Sequence, residues 1–219
     1  MIGIVDYGMG NLYSLSQALK RLEQSYIISD EPNELDKTDG LILPGVGAFK
    51  DAMALLNEKK LSDYLRTYAQ SKPLLGICLG MQLLFDESEE GVLTEGLGLI
   101  PGRITRFSGA SKEGERYKVP HMGWNTLSFT APESCLLSGL KPNYVYFVHS
   151  YYADLEDPET LIAAADYFGQ VPAVVGKGNV FGTQFHPEKS GAFGQALLAN
   201  YLKFVRQQGG TCSCGKEMC

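Results

Sequence analysis

The chain has no surplus of positive charge. Its formal net charge is −6, whereas a nucleic-acid binder would normally show a basic face. No apolar run is long enough for a membrane span. The opening "MIGIVDYG" lacks a basic segment followed by a long apolar core, so no signal peptide is expected. Five cysteines, an odd number, are scattered over 219 residues, which does not suggest a disulfide framework. A reducing cytoplasm is the expected compartment. Histidine is scarce, with three residues, so any catalytic base of that type has few candidates. What remains is an ordinary globular composition, with 44% hydrophobic and 20% charged residues, enough for a substantial core.

The first half of the chain alternates short apolar runs with helical periodicity. "IGIVDYG" reads as a buried strand running into a loop. Residues 12, 15, 19 and 22 are all leucine, which is helical spacing, with Asn11 as a plausible N-cap. "YIIS" and "GLILPG" read as strands, and residues 48–70 as one or two helices. This alternation implies a mostly parallel central sheet flanked by helices, an α/β fold. From Leu97 onward the pieces "GLIPGRITRF", "VPHMGWNTLSF", "YVYFVHSYYA" and "LIAAADYF" predict an additional antiparallel region. Residues 108–118 read as an exposed hairpin or loop. Two strands should meet at a tight turn over 177–179, ahead of a final amphipathic helix. Residues 1–208 are expected to form one domain. Residues 209–219, with Cys212, Cys214 and Cys219, read as a frayed tail without a role.

"KPLLGICLGMQLLF" places Cys78 in an apolar run between Gly76 and Gly80. A free cysteine is often just a small buried hydrophobe. Here Gly-x-Cys-x-Gly follows a strand-like "PLLGI" and precedes helix-like "MQLLF". That arrangement is the cysteine form of the strand–turn–helix elbow, which lifts a nucleophile above a parallel sheet. A thiol nucleophile needs a base, and the base needs an orienting group. His121 and His149 have no carboxylate close in sequence. His186, in "FHPEKS", has Glu188 two residues on, and Pro187 disfavours helix at His186. Without Cys78, His186 and Glu188 would read as no more than a strand-end pair.

Together "GICLGMQ" and "FHPEKS" resemble the class I glutamine amidotransferases, whose triad is Cys-His-Glu. The resemblance covers residues 1 to about 208. Within that class "DYGMGN", "LPGVGAF" and "HMGWN" resemble the glutaminase subunits of imidazole glycerol phosphate synthase, from histidine biosynthesis. The resemblance implies that Cys78, His186 and Glu188 hydrolyse glutamine to glutamate and ammonia through a thioester. It implies oxyanion donors at Leu79 and in Gly45, Val46 and Gly47. It implies contacts to glutamine from Gln82, Ser150 and Tyr151. It further implies a (β/α)₈-barrel cyclase partner in a heterodimer, with Asn11, Trp124 and Lys189 at the interface, and no cofactor or metal. By default Trp124 would instead be a core residue.

Two rival readings remain open at this level. One is the glutaminase of another ammonia-using synthase, such as a paralogue serving surface-sugar amidination. The other is a non-catalytic binding protein on the same fold, against which the intact Cys78, His186 and Glu188 set argues.

Overall fold

The computed structural model describes residues 1–111 and 114–209. Gly209 ends the last helix, and the rest of the cysteine-bearing tail lies outside the described residues.

The first half contains β1 (Ile2–Val5), α1 (Leu12–Arg21), β2 (Tyr26–Ser29), α2 (Pro32–Leu35), β3 (Gly40–Gly45), α3 (Phe49–Glu58), α4 (Leu61–Ala69), β4 (Leu74–Cys78) and α5 (Leu79–Gln82). Then come β5 (Phe85–Ser88), β6 (Thr94–Glu95), β7 (Ile100–Arg106), β8 (His121–Phe129), β9 (Tyr144–His149) and β10 (Tyr151–Leu155). The chain continues through β11 (Leu161–Asp166), β12 (Gln170–Lys177), β13 (Val180–Thr183) and α6 (Gly191–Gly209).

A nine-stranded sheet has the order β2-β1-β3-β4-β13-β12-β11-β8-β9. The pairs from β2 to β13 run parallel, and those from β13 to β9 run antiparallel. The parallel and antiparallel halves foreseen in the sequence therefore share one sheet, with β13 as the seam. The parallel strands β1, β3 and β4 are buried at every position, as strands covered on both faces must be. Their alternate side chains feed two cores. Ile2, Ile4, Ile42 and Leu75 pack with α1 and α6. Val5, Leu41, Leu43 and Leu74 pack with α3 and α4. By contrast β8 alternates buried and exposed residues, as expected for a strand with one wet face.

Asn11 caps α1 by accepting a hydrogen bond from the Ser14 N–H at 3.2 Å. The helical stretch after residue 48 divides in two at Lys60, which has a left-handed backbone (φ 58°).

The sequence reading differs from the structure after Cys78. Of "MQLLF" only Met81 and Gln82 are helical, completing the single turn Leu79–Gln82, and Phe85 then opens β5. The carbonyls of Leu83 and Leu84 accept instead from the N–H groups of Leu97, Leu99 and Ile100, at 2.8–3.0 Å. A helix continuing past Leu84 would need those same acceptors. The diversion builds a second, four-stranded sheet, β10-β7-β5-β6, that the sequence did not reveal as a unit.

Candidate active site

Cys78 ends β4 and caps α5 with a strained backbone (φ 56°, ψ −112°). For a non-glycine residue such a conformation costs about 1–3 kcal/mol and persists only where its surroundings enforce it. The flanking glycines provide that enforcement through close approach. A Cβ on Gly80 would lie 1.8 Å from the Leu43 carbonyl oxygen, and one on Gly76 would lie 2.5 Å from the Gly80 oxygen. Both contacts are far inside van der Waals range, so α5 can sit against β3 and β4 only with glycine at these positions. The elbow predicted from the spacing is present.

His186 follows β13, whose parallel pairing with β4 brings it beside Cys78. Its Nδ1 lies 2.8 Å from Glu188 Oε1, with both side chains 3% exposed. A carboxylate only accepts, so Nδ1 carries a proton. The pair does not meet along an extended strand: His186 is extended, but Pro187–Lys189 forms a 3₁₀ turn that folds Glu188 back. Burial pulls the His186 imidazole down. Hydrogen bonds to Cys78 and Glu188, and their negative charges, outweigh burial and raise its pKa to about 9. Among the described residues the other carboxylate oxygen, Glu188 Oε2, is buried without a hydrogen-bond partner.

A cleft of about 360 Å³ opens over the thiol. Val46, Gly47, Leu79, Gln82, Ser150 and Tyr151 line it together with Cys78 and His186. Gly45 lies opposite Cys78 in the β3–β4 register, which brings the Gly45–Gly47 segment alongside the thiol. Gly47 needs its lack of a side chain, since its φ is +108°. Leu79 is the first residue of α5, so its N–H is one of the helix's unsatisfied N-terminal donors. Gln82 is buried, and its Nε2 donates to the Tyr151 carbonyl and to Gln184 Oε1, both at 3.0 Å.

The three predicted interface residues separate. Asn11 is a helix cap that also lines a small void shared with His186 and Glu188. Lys189 is exposed directly after Glu188. Trp124, for which core packing was the default, is 57% exposed on β8, with Tyr146 edge-on at 5.9 Å.

Sequence reading missed other groups at the site. Glu90 lines the cleft and accepts from the Phe49 N–H at 2.7 Å. His149 also lines it; its only sequence signal was its place directly before Ser150 and Tyr151. The buried Tyr7 hydroxyl has no hydrogen-bond partner among the described residues and lies 2.7 Å from where a Cβ on Gly45 would sit. Burial, and then the charge of Cys78, push its pKa up.

Comparisons with known proteins agree with this arrangement. The family model described as Glutamine amidotransferase class-I matches residues 3–204. The imidazole glycerol phosphate synthase subunit HisH of Geobacillus sp. (strain WCH70) is 59% identical over 210 residues, covering 95% of this chain and 99% of that one. Its counterpart from Bacillus subtilis (strain 168) is 52% identical, covering 95% and 98%. Among solved structures, one described as a glutamine amidotransferase superposes with a TM-score of 0.74 at 21% identity, covering 94% and 98%. PurLQS from Thermotoga maritima superposes with a TM-score of 0.69 at 21% identity, covering 93% and 98%. A match that runs from β1 into α6 takes in the cysteine elbow, the histidine behind the seam strand and the cleft between them, and so the chain belongs to the class-I glutamine amidotransferases.

Proposed function

We propose that this chain is the glutaminase subunit of an imidazole glycerol phosphate synthase, and that Cys78, His186 and Glu188 are its triad. The observation that carries the reading is the buried His186–Glu188 pair at 2.8 Å beside a strained cysteine elbow. The near-full-length likeness to HisH subunits selects the pathway.

In the proposed reaction the Cys78 thiolate attacks the side-chain carboxamide carbon of glutamine, and the C=O electron pair moves onto oxygen. The Leu79 N–H and a peptide N–H of the Gly45–Gly47 segment bind that oxyanion; losing one such donor typically costs ~10²–10³ in turnover. His186 gives its proton to the amide nitrogen as the C–N bond breaks, releasing ammonia and leaving a thioester. His186 then takes a proton from water, whose oxygen attacks the thioester. Collapse of the second oxyanion expels the thiolate and frees glutamate. Glu188 keeps the proton of Nδ1 in place, which leaves Nε2 for the exchange with Cys78 and substrate. Gln82, Ser150 and Tyr151 hold the amino-acid end of glutamine.

The partner is a (β/α)₈-barrel cyclase in a heterodimer, which uses the ammonia to form imidazole glycerol phosphate and AICAR. Trp124, Asn11 and Lys189 serve the interface. The test measures glutamate released by the chain alone, with a candidate histidine-pathway cyclase, and with cyclase plus its nucleotide substrate. Glutamate release is expected to rise at each step. No glutamate in any arm overturns the reading.

A further inference from the structure

Two buried histidines beside the cleft are not used by this chemistry. His149 ends β9, and His121 faces it across the β8–β9 pairing. His149 Nδ1 lies 2.7 Å from the Tyr151 carbonyl oxygen. A carbonyl only accepts, so that nitrogen bears a proton. His149 Nε2 lies 3.0 Å from His121 Nδ1, and the direction of this bond is decided at the far end. His121 Nε2 lies 3.3 Å from Asn125 Nδ2. The Asn125 amide is oriented twice over: Nδ2 donates to the Asp166 carbonyl at 2.8 Å, and Oδ1 accepts from the Thr126 N–H at 2.8 Å. Asn125 therefore offers His121 a donor. His121 must accept at Nε2, carry its proton on Nδ1 and donate it to His149. Both rings are neutral, and both are Nδ1–H tautomers.

We propose that Asn125, His121 and His149 form a directional chain of positioning residues for the glutamine cleft, fixing the Tyr151 carbonyl and keeping the imidazole nearest the triad uncharged. The Tyr151 carbonyl has two lone pairs, and it accepts from His149 and from Gln82. The neighbouring Ser150 carbonyl accepts from the Phe107 N–H at 3.1 Å. The cleft wall at residues 150–151 is thus tied to Gln82 and Phe107 and, through the adjacent His149, to His121 and Asn125.

His186 must hold an extra proton beside Cys78 for ammonia to leave. A second imidazolium at His149 would repel that proton and compete for the thiolate. Burial holds His149 at about 3, with the neighbouring His121 and His186 imidazoles adding to it and the Tyr151 bond opposing. Burial alone holds His121 at about 4. The titratable groups facing His149 are His121 and His186, with Cys78 and Glu90 on the same cleft; Tyr167 stacks on His121 at 4.0 Å. The two rings bond to carbonyl, amide and imidazole groups, none of which holds a proton on them as a carboxylate would.

The inference rests on the proposed glutaminase reading only for its kinetic arm. The first arm is nitrogen-15 NMR of the imidazole rings in the unsubstituted chain. His121 and His149 should remain neutral Nδ1–H tautomers from pH 8 down to 5. Titration of either ring in that range, or an Nε2–H tautomer, overturns the proposal. The second arm measures glutamine kinetics with cyclase and nucleotide. His121→Leu should raise KM about tenfold and Asn125→Leu about threefold, the scale of one buried hydrogen bond, with kcat held within about twofold. An unchanged KM in both variants, or a loss confined to kcat, overturns it. Should His121→Leu fail to fold, half-buried Asn125 carries the kinetic arm. Absence of any glutamate release by the unsubstituted chain would instead strike the proposed function, and the NMR arm would still decide the tautomers.

Discussion

His186 and His149 line the same cleft, both largely hidden from water, yet the first is raised to about 9 and the second lowered to about 3. Burial acts downward on both, so it does not separate them. Their partners do. His186 meets a thiol and a carboxylate, each of which gains by a positive neighbour. His149 meets a carbonyl and an imidazole that is itself neutral. One cleft thereby holds an imidazole kept charged and another kept neutral, the separation of roles that acid–base chemistry at a single pH requires.

The largest way to break this contrast is to remove the anion. Cys78→Ala should lower glutamate release by about 10⁴-fold or more while leaving the fold intact, since truncation of a triad nucleophile has effects of that scale. The same change should drop the His186 pKa, readable by NMR, because the foremost group holding it up is gone.

Glu188→Gln removes the second anion and should be roughly a hundredfold milder than His186→Ala, as orienting residues usually are. It also sharpens the comparison through pH. The departing ammonia needs protonated His186, so activity should fail as pH rises through about 9. Loss of the carboxylate lowers that pKa, and the alkaline limb of kcat/KM should move to lower pH. A variant whose alkaline limb stays in place would mean that Glu188 does not hold the proton.

The neutral pair leaves its mark on stability. Unfolded histidines titrate near 6.5, whereas His121 and His149 stay neutral until about 4 and 3. Between those values the unfolded chain binds more protons, so the stability this pair contributes is full above pH 6.5 and falls as pH drops toward 4. Urea midpoints measured across that window should decline, and His121→Leu should flatten the decline.

The smallest expected effect tests the direction of the chain. Asn125→Asp turns the donor facing His121 into an acceptor, which should raise the His121 pKa while leaving that of His186 nearly where it was. Its readout is the His121 ring in the NMR titration.

The proposed triad was legible in the sequence because its signals are contiguous. Gly76-x-Cys78-x-Gly80 and His186-Pro187-Glu188 each lie within five residues, and the physics that needs them acts locally. The buried parallel strands were legible for a similar reason, as unbroken apolar runs. What stayed hidden depends on distant partners. The helix stops before Phe85 because the amides of Leu97, Leu99 and Ile100 take the Leu83 and Leu84 carbonyls. His121 and His149 are 28 positions apart, and Asn125 is 41 from Asp166, so no local pattern announces their chain. The break between α3 and α4 falls on Lys60, a residue with no conventional preference for the left-handed backbone it adopts. Trp124 was given core packing as its default, since large aromatics usually bury; only strand register shows that it points outward.

That outward indole is the chain's single tryptophan, 57% exposed and close to one tyrosine ring. The protein therefore carries its own optical probe. All indole emission from the purified chain reports one position on the wet face of β8, with no second source to subtract. Anything that settles on that face and drives off water should shift the emission to the blue, and titrating it would yield an association constant without a label being attached.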